Sequence, residues 1–326
     1  MQYTMLGSTG LKVSVAGLGC GGNSRIGLGT GKSQAESIEL VRAALDLGVT
    51  YFDTAALYGT EPILGRAFRP GERSKVVIST KAHIHSGDRR GTGVLPAANV
   101  VASLEQSLRK LNTDYIDVFM LHGVAPAALD PARSEIVPAL LTEKAKGKLR
   151  HLGITETAAR DANHAMLDGA LEDPCWEVVM LAFHMMHQNA RRVVFPRTRA
   201  RGVGTLMMFV VRNIFSKPDL LTGTVRKLAA AGQIPAALGA ERDPLGFLVH
   251  SGGAESLIDA AYRFVRHEPG VDVVLFGTSS IAHMRSNVAS ILRPPLPKAD
   301  RAHLAEYFGH LVGVGLDLPD YINPSR

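Results

Sequence analysis

The sequence predicts a single (β/α)8 TIM barrel, and three observations indicate that fold class. Short apolar runs alternate with amphipathic helical segments along most of the chain, a pattern typical of parallel strand pairing. Eight such strand–helix units can be counted. The chain has 326 residues, of which 46% are hydrophobic and 20% charged, and this length suits one closed barrel better than an open sheet. We therefore expect one domain that covers residues 1–326.

Each barrel strand is expected where an apolar run is bounded by turn residues. The expected strands are residues 15–18, 49–52, 76–79, 116–121, 150–154, 178–182, 203–207 and 271–276. The first helix has a clear start and stop, because Ser33 and Glu36 have the spacing of a capping box and Gly48 follows the apolar positions. The later helices are expected at residues 101–111, 136–146, 158–169, 190–201, 255–267 and 281–292.

Two predicted features lie outside this alternation. Residues 3–6 and 11–13 flank the turn sequence Gly-Ser-Thr-Gly, which predicts an N-terminal β-hairpin that plugs the bottom of the barrel. Residues 213–253 form a long loop insertion between barrel strands 7 and 8. Because long loops at the catalytic end of a barrel usually have a function, this insertion is a candidate substrate lid.

Composition excludes several classes of protein. No apolar run approaches the roughly eighteen residues of a membrane span, and the first residues lack the layout of a secretory signal. Cys20 and Cys175 are the only cysteines, too few for a disulfide framework, and we expect a cytoplasmic protein with reduced thiols. The net charge of +6 is dispersed along the chain. Its densest cluster, at residues 191–201, lacks a nucleic-acid-binding motif and is expected to be a solvated helix face.

Four side chains of complementary chemistry follow consecutive predicted strands. Asp53 and Tyr58 come after the second strand, Lys81 after the third and His122 after the fourth. Catalytic residues of such barrels lie at the carboxyl ends of the strands, so these four should meet at one mouth. An ammonium favours loss of a nearby phenol proton, a carboxylate orients the ammonium, and an imidazole can donate to a carbonyl oxygen. Singly each residue also fits a structural role, but together they suit proton transfer coupled to carbonyl reduction.

The turn after the eighth strand predicts a phosphate site. The sequence Gly-Thr-Ser-Ser at residues 277–280 precedes the helix expected at 281–292. Small residues in such a turn expose backbone N–H groups at a helix N-terminus, where phosphate commonly binds. The same residues also fit an ordinary helix cap.

The chain resembles the aldo-keto reductase family over nearly its whole length. The blocks that carry the resemblance are residues 6–11, 48–55 with Tyr58-Gly59, 79–81, 104–108, 114–122 and 147–154. The resemblance implies a metal-free enzyme that transfers a hydride between NADP(H), or alternatively NAD(H), and a small aldehyde, ketone or the corresponding alcohol or sugar. It implies that Tyr58 is the general acid/base, that Asp53 and Lys81 tune it, and that His122 orients the carbonyl. Neither nucleic acid nor membrane is an implied partner.

The resemblance also implies the residues that contact the adenosine half of the cofactor. The resemblance implies contacts from Gly277, Thr278, Ser279, His283 and Asn287. His283 stands where many NADP-dependent relatives have an arginine, and Arg285 is then the residue that would compensate at the 2′-phosphate.

At the nicotinamide end the chain departs from the usual family residues. Thr155 and Glu156 stand in place of a common Ser-Asn pair, and Met180 replaces a glutamine. Met208 or the adjacent Phe209 takes the place of an aromatic ring that stacks on the nicotinamide. The implied set is completed by Gly21, Gly22 and Asp53.

Two other functions stay open at this point. His83 and His85 form a His-x-His beyond a barrel strand, and imidazoles two residues apart in an extended segment share one face, as a metal-dependent hydrolase requires. The altered nicotinamide positions also suit a nucleotide-binding subunit that senses redox state with little turnover.

Overall fold

A computed structural model describes residues 1–87 and 92–317, and its central feature is a closed parallel barrel. The strands, in chain order, are β1 (Tyr3–Met5), β2 (Lys12–Ser14), β3 (Ala16–Gly19), β4 (Tyr51–Asp53), β5 (Val77–His83), β6 (Ile116–Val124), β7 (Leu149–Glu156), β8 (Val178–Ala182), β9 (Gly204–Met208) and β10 (Val273–Phe276). Neighbours from β3 to β10 pair in parallel, and β10 pairs with β3 to close the ring. The predicted (β/α)8 fold class is confirmed.

The helices surround this ring. They are α1 (Gln34–Asp46), α2 (Glu61–Ala67), α3 (Ala97–Leu111), α4 (Leu129–Pro131), α5 (Val137–Ala145), α6 (Ala165–Ala170), α7 (Ala190–Val193), α8 (Phe195–Arg201), α9 (Asn213–Ser216), α10 (Pro218–Ala230), α11 (Ala236–Ala240), α12 (Leu257–Arg266), α13 (Ile281–Leu292) and α14 (Lys298–Phe308). The capping box of α1 is present, since the Ser33 N–H donates to Glu36 and the Glu36 N–H donates to the Ser33 hydroxyl. None of the described helices is long and apolar enough to cross a membrane.

The hairpin β1–β2 is antiparallel and packs against the amino-terminal end of the barrel. Leu6 and Val13 are fully buried there, in one cluster with interior side chains of the barrel strands. The Gly7 N–H donates to the Asp272 carboxylate at 3.1 Å. Gly7 has φ +51°, and a Cβ atom on it would lie 2.4 Å from the Gly202 carbonyl oxygen, so only glycine fits this contact. The hairpin therefore plugs the bottom of the barrel.

Successive strand residues alternate between two apolar layers. One layer fills the barrel and includes Tyr51 and Val118. Their sequence neighbours Phe52 and Phe119 belong to the outer layer, between strands and helices. This alternation is the period of two that a strand imposes on its side chains. It also divides the methionines, because Met180 and Met208 face the barrel interior whereas Met185, Met186 and Met207 lie in the outer layer.

Three strands, β5, β6 and β7, are longer than the sequence predicts, and β7 runs from Leu149 to Glu156. β5 continues to His83 and β6 to Val124, and the two pair over residues Ser79 to His83. Lys81 and His122 consequently lie within the last residues of their strands rather than after them. Backbone pairing thus fixes the direction of both side chains.

The helix expected at residues 158–169 is shorter, since α6 begins only at Ala165. The Asp161 carboxylate accepts from the N–H groups of Ala165 and Met166 at 2.9 and 2.8 Å and so fixes the helix start. His164, directly before the helix, has a left-handed backbone with φ +59°. The residues before α6 are therefore turns, which remain at the mouth of the barrel.

The helix expected at residues 190–201 is interrupted. α7 and α8 separate at Val194, and Pro196 lies in the first turn of α8, where its missing N–H costs no helical hydrogen bond. Two arginines of this stretch pair with carboxylates, Arg191 with Glu268 at 2.6 Å and Arg197 with Asp168 and Glu172.

The insertion at residues 213–253 contains the helices α9, α10 and α11 rather than an open loop. Leu221 and Val225 of α10 are buried, and α10 packs on α11. Most of the insertion is therefore a packed helical unit on the outside of the barrel.

Candidate active site

A cavity of about 740 Å³ opens at the carboxyl-terminal end of the barrel. Asp53, Tyr58 and His122 line it, and Lys81 lies beneath them with 1% of its surface exposed. The four residues expected to meet at the mouth of the barrel do meet there. The insertion contributes only Asn213 and Ser216 to the described wall, so α10 and α11 do not form the expected lid over it.

Lys81 and Asp53 form a buried ion pair at the floor of the cavity. The Lys81 ammonium donates to both carboxylate oxygens of Asp53 at 2.7 Å and to the Thr54 carbonyl oxygen at 2.8 Å. The Ser79 hydroxyl donates to Asp53 Oδ1 at 2.6 Å. These partners compensate the cost of burying both charges and hold the ammonium in one position.

The Tyr58 phenol lies above this pair and faces His122. Tyr58 OH and His122 Nε2 are 3.3 Å apart, and the two rings meet edge to face with centroids 5.5 Å apart. The Lys81 ammonium is 5.3 Å from the centre of the Tyr58 ring. Gly21 packs so closely on this ring that a Cβ atom there would lie 2.5 Å from Tyr58 Cε2. A phenol O–H and an imidazole N thus converge on one point of the cavity.

A buried hydrogen-bonded chain, Glu156–His164–Asn189, lies at the wall of the cavity. Glu156 lines the cavity, and its carboxylate accepts from the Ala182 N–H at 2.8 Å and from His164 Nδ1 at 2.7 Å. His164 Nε2 lies 3.1 Å from Asn189 Oδ1. Burial raises the pKa of Glu156, and His164 opposes that rise. Burial acts to lower the pKa of His164, but Glu156 outweighs it and the pKa of the imidazole is raised.

Two further buried histidines adjoin this chain and are neutral. His187 Nδ1 accepts from the Gly313 N–H, and burial lowers the pKa of His187 to about 3. His184 Nδ1 accepts from the Met186 N–H, and burial lowers its pKa well below the ordinary value. Because each Nδ1 accepts a hydrogen bond, the proton of each ring lies on Nε2.

The far end of the cavity is formed by the turn after β10 and the start of α13. Gly277, Thr278, His283 and Asn287 line it. The Ser280 hydroxyl accepts from the His283 N–H at 3.4 Å and caps the helix. The first turn of a helix presents further N–H groups without intrahelical partners, which suit phosphate.

Most residues of the predicted cofactor set line the cavity, and two do not. Those that line it are Gly21, Gly22, Asp53, Thr155, Glu156, Met180, Met208, Phe209, Gly277, Thr278, His283 and Asn287. Ser279 and Arg285 are not among the lining residues, and Arg285 is an exposed side chain on α13. Arg285 thus lies on the exposed side of α13, and its expected contact with the cofactor stays a prediction.

No sequence pattern predicts the part of the cavity wall that is formed by Phe209, Arg212 and Asp317. Arg212 lies 4.3 Å over the Phe209 ring, and its guanidinium donates to the carboxylate of Asp317 at 2.8 Å. Phe209 has a left-handed backbone with φ +64°, which is strained for an aromatic residue. Only the folded chain brings residue 317 across to the segment after β9.

The alternative metal site finds no support in residues 1–87 and 92–317. No group of three or more His, Cys, Asp or Glu side chains suitable for a metal ion occurs there. His83 and His85 have ring centroids 5.6 Å apart, but His85 Nε2 is 3.0 Å from the Gly123 carbonyl oxygen. The His-x-His pair is thus part of the hydrogen-bonded strand end.

The two ends of the cavity differ in chemistry. It extends from Tyr58 to Asn287 and lies within the size range of organic ligand sites. Gly277 presents bare backbone, since a Cβ atom there would meet no protein atom closer than 3.6 Å. The start of α13 offers phosphate donors at one end, and the tyrosine–histidine pair lies at the other.

The closed eight-stranded barrel and the meeting of Asp53, Tyr58, Lys81 and His122 at its mouth agree with the arrangement expected of an aldo-keto reductase. The sequence profile of the aldo/keto reductase family matches residues 17–307. The chain therefore belongs to the aldo-keto reductase family, whose members use nicotinamide cofactors on small molecules.

Individual relatives agree with this assignment. The chain is 26% identical over 313 residues to L-galactose dehydrogenase of Arabidopsis thaliana, covering 94% of this chain and 93% of that protein. It is 26% identical over 314 residues to aldo-keto reductase YhdN of Bacillus subtilis, covering 85% of each. The solved holo structure of aldo-keto reductase AKR11C1 from Bacillus halodurans superposes with a TM-score of 0.71 at 22% identity, covering 97% of this chain and 100% of that one. The last likeness concerns the fold.

Proposed function

We propose that this protein is an NADP(H)-dependent carbonyl reductase, working in the reverse direction as an alcohol dehydrogenase, with Tyr58 as its general acid/base. The observation that carries the proposal is the 3.3 Å approach of Tyr58 OH and His122 Nε2 above the buried Lys81–Asp53 pair. A carbonyl oxygen placed between phenol and imidazole can take a proton from one and a hydrogen bond from the other.

Each residue of the set has a distinct role in this proposal. A bound nicotinamide cofactor supplies or accepts the hydride at the substrate carbon. Tyr58 gives its phenolic proton to the oxygen as the carbonyl is reduced, and takes it back in alcohol oxidation. The Lys81 ammonium stabilises the negative phenolate that remains, while Asp53 fixes the ammonium. His122 donates to the same oxygen and orients it.

The cofactor would lie along the cavity in one direction. Hydride transfer requires the nicotinamide beside Tyr58, close to Thr155, Met180 and Met208, which line that part of the wall. The phosphates then reach the turn at residues 277–278 and the first turn of α13. His283 is the lining side chain suited to the 2′-phosphate of NADP(H). In the described part of the chain no arginine lines that end of the cavity, and NAD(H) is therefore kept as the second choice of cofactor.

The substrate class proposed first is a sugar or sugar-derived alcohol. The support is the name of one relative, L-galactose dehydrogenase, which the chain resembles over 94% of its own length. Polar side chains at the mouth of the cavity, including Asn23 and Arg160, suit a ligand with hydroxyl groups.

The proposal is tested by turnover and cofactor binding in wild type and Tyr58→Phe. Purified protein is assayed with NADPH and NADH against aldehydes, ketones and aldoses, and with the oxidised cofactors against sugars and alcohols. We expect Tyr58→Phe to lower kcat by about 10²–10⁴-fold with little change in cofactor Kd, because the phenol only transfers the proton. Tyr307→Phe is the matched control, since Tyr307 lies on α14 and does not line the cavity.

Other results would contradict the proposal. Tight nucleotide binding without turnover of any substrate in wild type would favour a redox-sensing subunit. Equal turnover in wild type and Tyr58→Phe would remove Tyr58 from the mechanism.

A further inference from the structure

Glu156 lies in the part of the cavity wall where the nicotinamide is proposed to lie, and its carboxylate is buried directly behind that wall. Thr155, its neighbour, accepts from the Gly123 N–H at 2.7 Å through its hydroxyl, and Gly123 directly follows His122. The end of β7 is thereby tied to the catalytic end of β6. The Glu156 side chain is fully buried, and each carboxylate oxygen accepts a hydrogen bond from the protein.

The hydrogen-bond partners of the two His164 ring nitrogens bear on whether the imidazole carries a positive charge. The Asn189 amide nitrogen donates to the Ala162 carbonyl oxygen at 2.9 Å, which turns Asn189 Oδ1 towards His164 Nε2. The other ring nitrogen, Nδ1, faces the Glu156 carboxylate. Both nitrogens therefore face oxygen atoms, and when Glu156 is ionised both of them donate, which is the cationic form of the ring. The raised pKa of His164 agrees with a buried carboxylate–imidazolium pair.

Glu156 is the member of the pair nearer the cavity, and its carboxylate is buried behind the surface of the wall. Glu156 lines the cavity, whereas His164 does not and lies behind it. The nearby cations Lys81 and Arg212 are each tied to a carboxylate of their own, Asp53 and Asp317. The other charged groups at this wall are Arg160, which is exposed, and Asp161, whose oxygens accept from the first N–H groups of α6.

We propose that Glu156, held ionised by His164, makes the site bind the oxidised nicotinamide cofactor more tightly than a neutral residue would. The inference rests on the proposed function. The oxidised nicotinamide ring carries a positive charge that the reduced ring lacks, so a carboxylate at a poorly hydrated wall attracts one form selectively. Glu156 is thus a specificity-determining residue for the redox state of the cofactor. Tighter binding of the oxidised form lowers the two-electron potential of the bound couple, so the bound reduced cofactor becomes a stronger hydride donor.

The test is the ratio of the dissociation constants of the oxidised and reduced cofactor. Both constants are measured on the full chain by calorimetry at fixed pH and ionic strength, with whichever of the NADP⁺/NADPH and NAD⁺/NADH pairs binds more tightly. In Glu156→Gln the amide oxygen can still accept from the Ala182 N–H, and its NH₂ can donate to Nδ1 of a neutral His164. This variant removes the charge and keeps the hydrogen bonds.

We expect Glu156→Gln to weaken the binding of the oxidised cofactor by about tenfold relative to the binding of the reduced cofactor. A tenfold change in this ratio corresponds to about 30 mV for a two-electron couple. Glu172→Gln is the control for net charge, because Glu172 is an exposed partner of Arg197 and does not line the cavity. Glu172→Gln should leave the ratio of the two dissociation constants within about twofold of the wild-type value.

A second variant covers the case in which Glu156→Gln does not fold. His164→Asn suits the left-handed backbone at this position, and a buried carboxyl that loses its cation takes up a proton. The ratio should therefore shift in the same direction. An unchanged ratio in either folded variant overturns the inference while the proposed function stands. If the wild type binds neither the oxidised nor the reduced cofactor, both this inference and the proposed function are overturned.

Discussion

Lys81 Nζ lies 2.7 Å from both carboxylate oxygens of Asp53, and each side chain is almost fully buried. Such a pair adds little net stability, because its mutual attraction is offset by the loss of hydration, but removing one partner leaves a buried charge without compensation. The catalytic floor of the barrel is thus also a point at which the fold is sensitive to substitution.

Lys81→Met should destabilise the protein by about 3–5 kcal/mol, since Asp53 would keep only the Ser79 hydroxyl as a side-chain partner. The double variant Lys81→Met with Asp53→Leu should be more stable than the single one, because no lone charge remains. Urea unfolding of the wild type and both variants measures this. A single variant within about 1 kcal/mol of the wild type would contradict the tight coupling of the pair.

Gly21→Ala should impair catalysis without unfolding the protein. The added Cβ atom would lie 2.5 Å from Tyr58 Cε2 and push the phenol from its place beside His122. A displacement near 1 Å at a reacting group costs about 10²-fold in rate. Steady-state kcat and the melting temperature are the measurements. Gly223→Ala is the control, because an added methyl there meets no atom within 4 Å, and a normal kcat for Gly21→Ala would argue against the placement of Tyr58.

His283→Arg should raise the affinity for NADPH relative to NADH by about tenfold, because a guanidinium binds phosphate oxygens in a bidentate manner. His283 lines the far end of the cavity, whereas Arg285 is exposed on α13 and does not. Arg285→Ala should therefore leave the ratio of the two constants within about twofold. Titration of cofactor fluorescence checks both, and a larger effect at position 285 than at 283 would reverse the proposed orientation of the 2′-phosphate.

Glu177 should contribute an acid-sensitive part of the stability. Burial acts to raise its pKa, but hydrogen bonds from His151, Lys144 and the Leu152 N–H outweigh burial and lower the pKa from 4.5 to about 2. A carboxyl whose pKa is lowered by folding stabilises the protein above its unfolded pKa, and this stabilisation is lost as the pH falls towards the folded value.

Glu177→Gln should accordingly cost about 1–2 kcal/mol at neutral pH, a figure reduced for the partial exposure of the site. The difference from the wild type should shrink below the unfolded pKa of 4.5 and become small near pH 2. Urea unfolding over this range gives the comparison. A difference independent of pH would show that the carboxylate charge is not what stabilises this site.

The sequence predicts the barrel well because periodicity reports burial directly. The strand expected at residues 178–182 and the helix expected at 281–292 have those bounds in the structure. The four catalytic candidates are also predictable, because parallel strands carry their carboxyl ends to one mouth. What periodicity misses depends on single side chains, such as the Asp161 carboxylate that delays the start of α6.

The cofactor wall is predicted less completely, since part of it is made by contacts between distant segments. Glu156 was expected at the nicotinamide end, but its partners His164 and Asn189 stand out in no sequence pattern. Asp317 reaches Arg212 from 105 residues away in the chain. The family resemblance indicates Arg285 as a substitute for the arginine that is missing at position 283, and in the structure His283 lines the cavity whereas Arg285 does not.

The hairpin that plugs the bottom of the barrel has a kinetic consequence. With Leu6 and Val13 filling that end, the described part of the chain offers ligands the carboxyl-terminal mouth as their way to Tyr58. A cofactor and a substrate that enter through the same mouth would therefore obstruct each other's exchange. The residues that impose this are Leu6, in the turn of the hairpin, and Val13, in β2, at the opposite end of the barrel from the proposed catalytic groups.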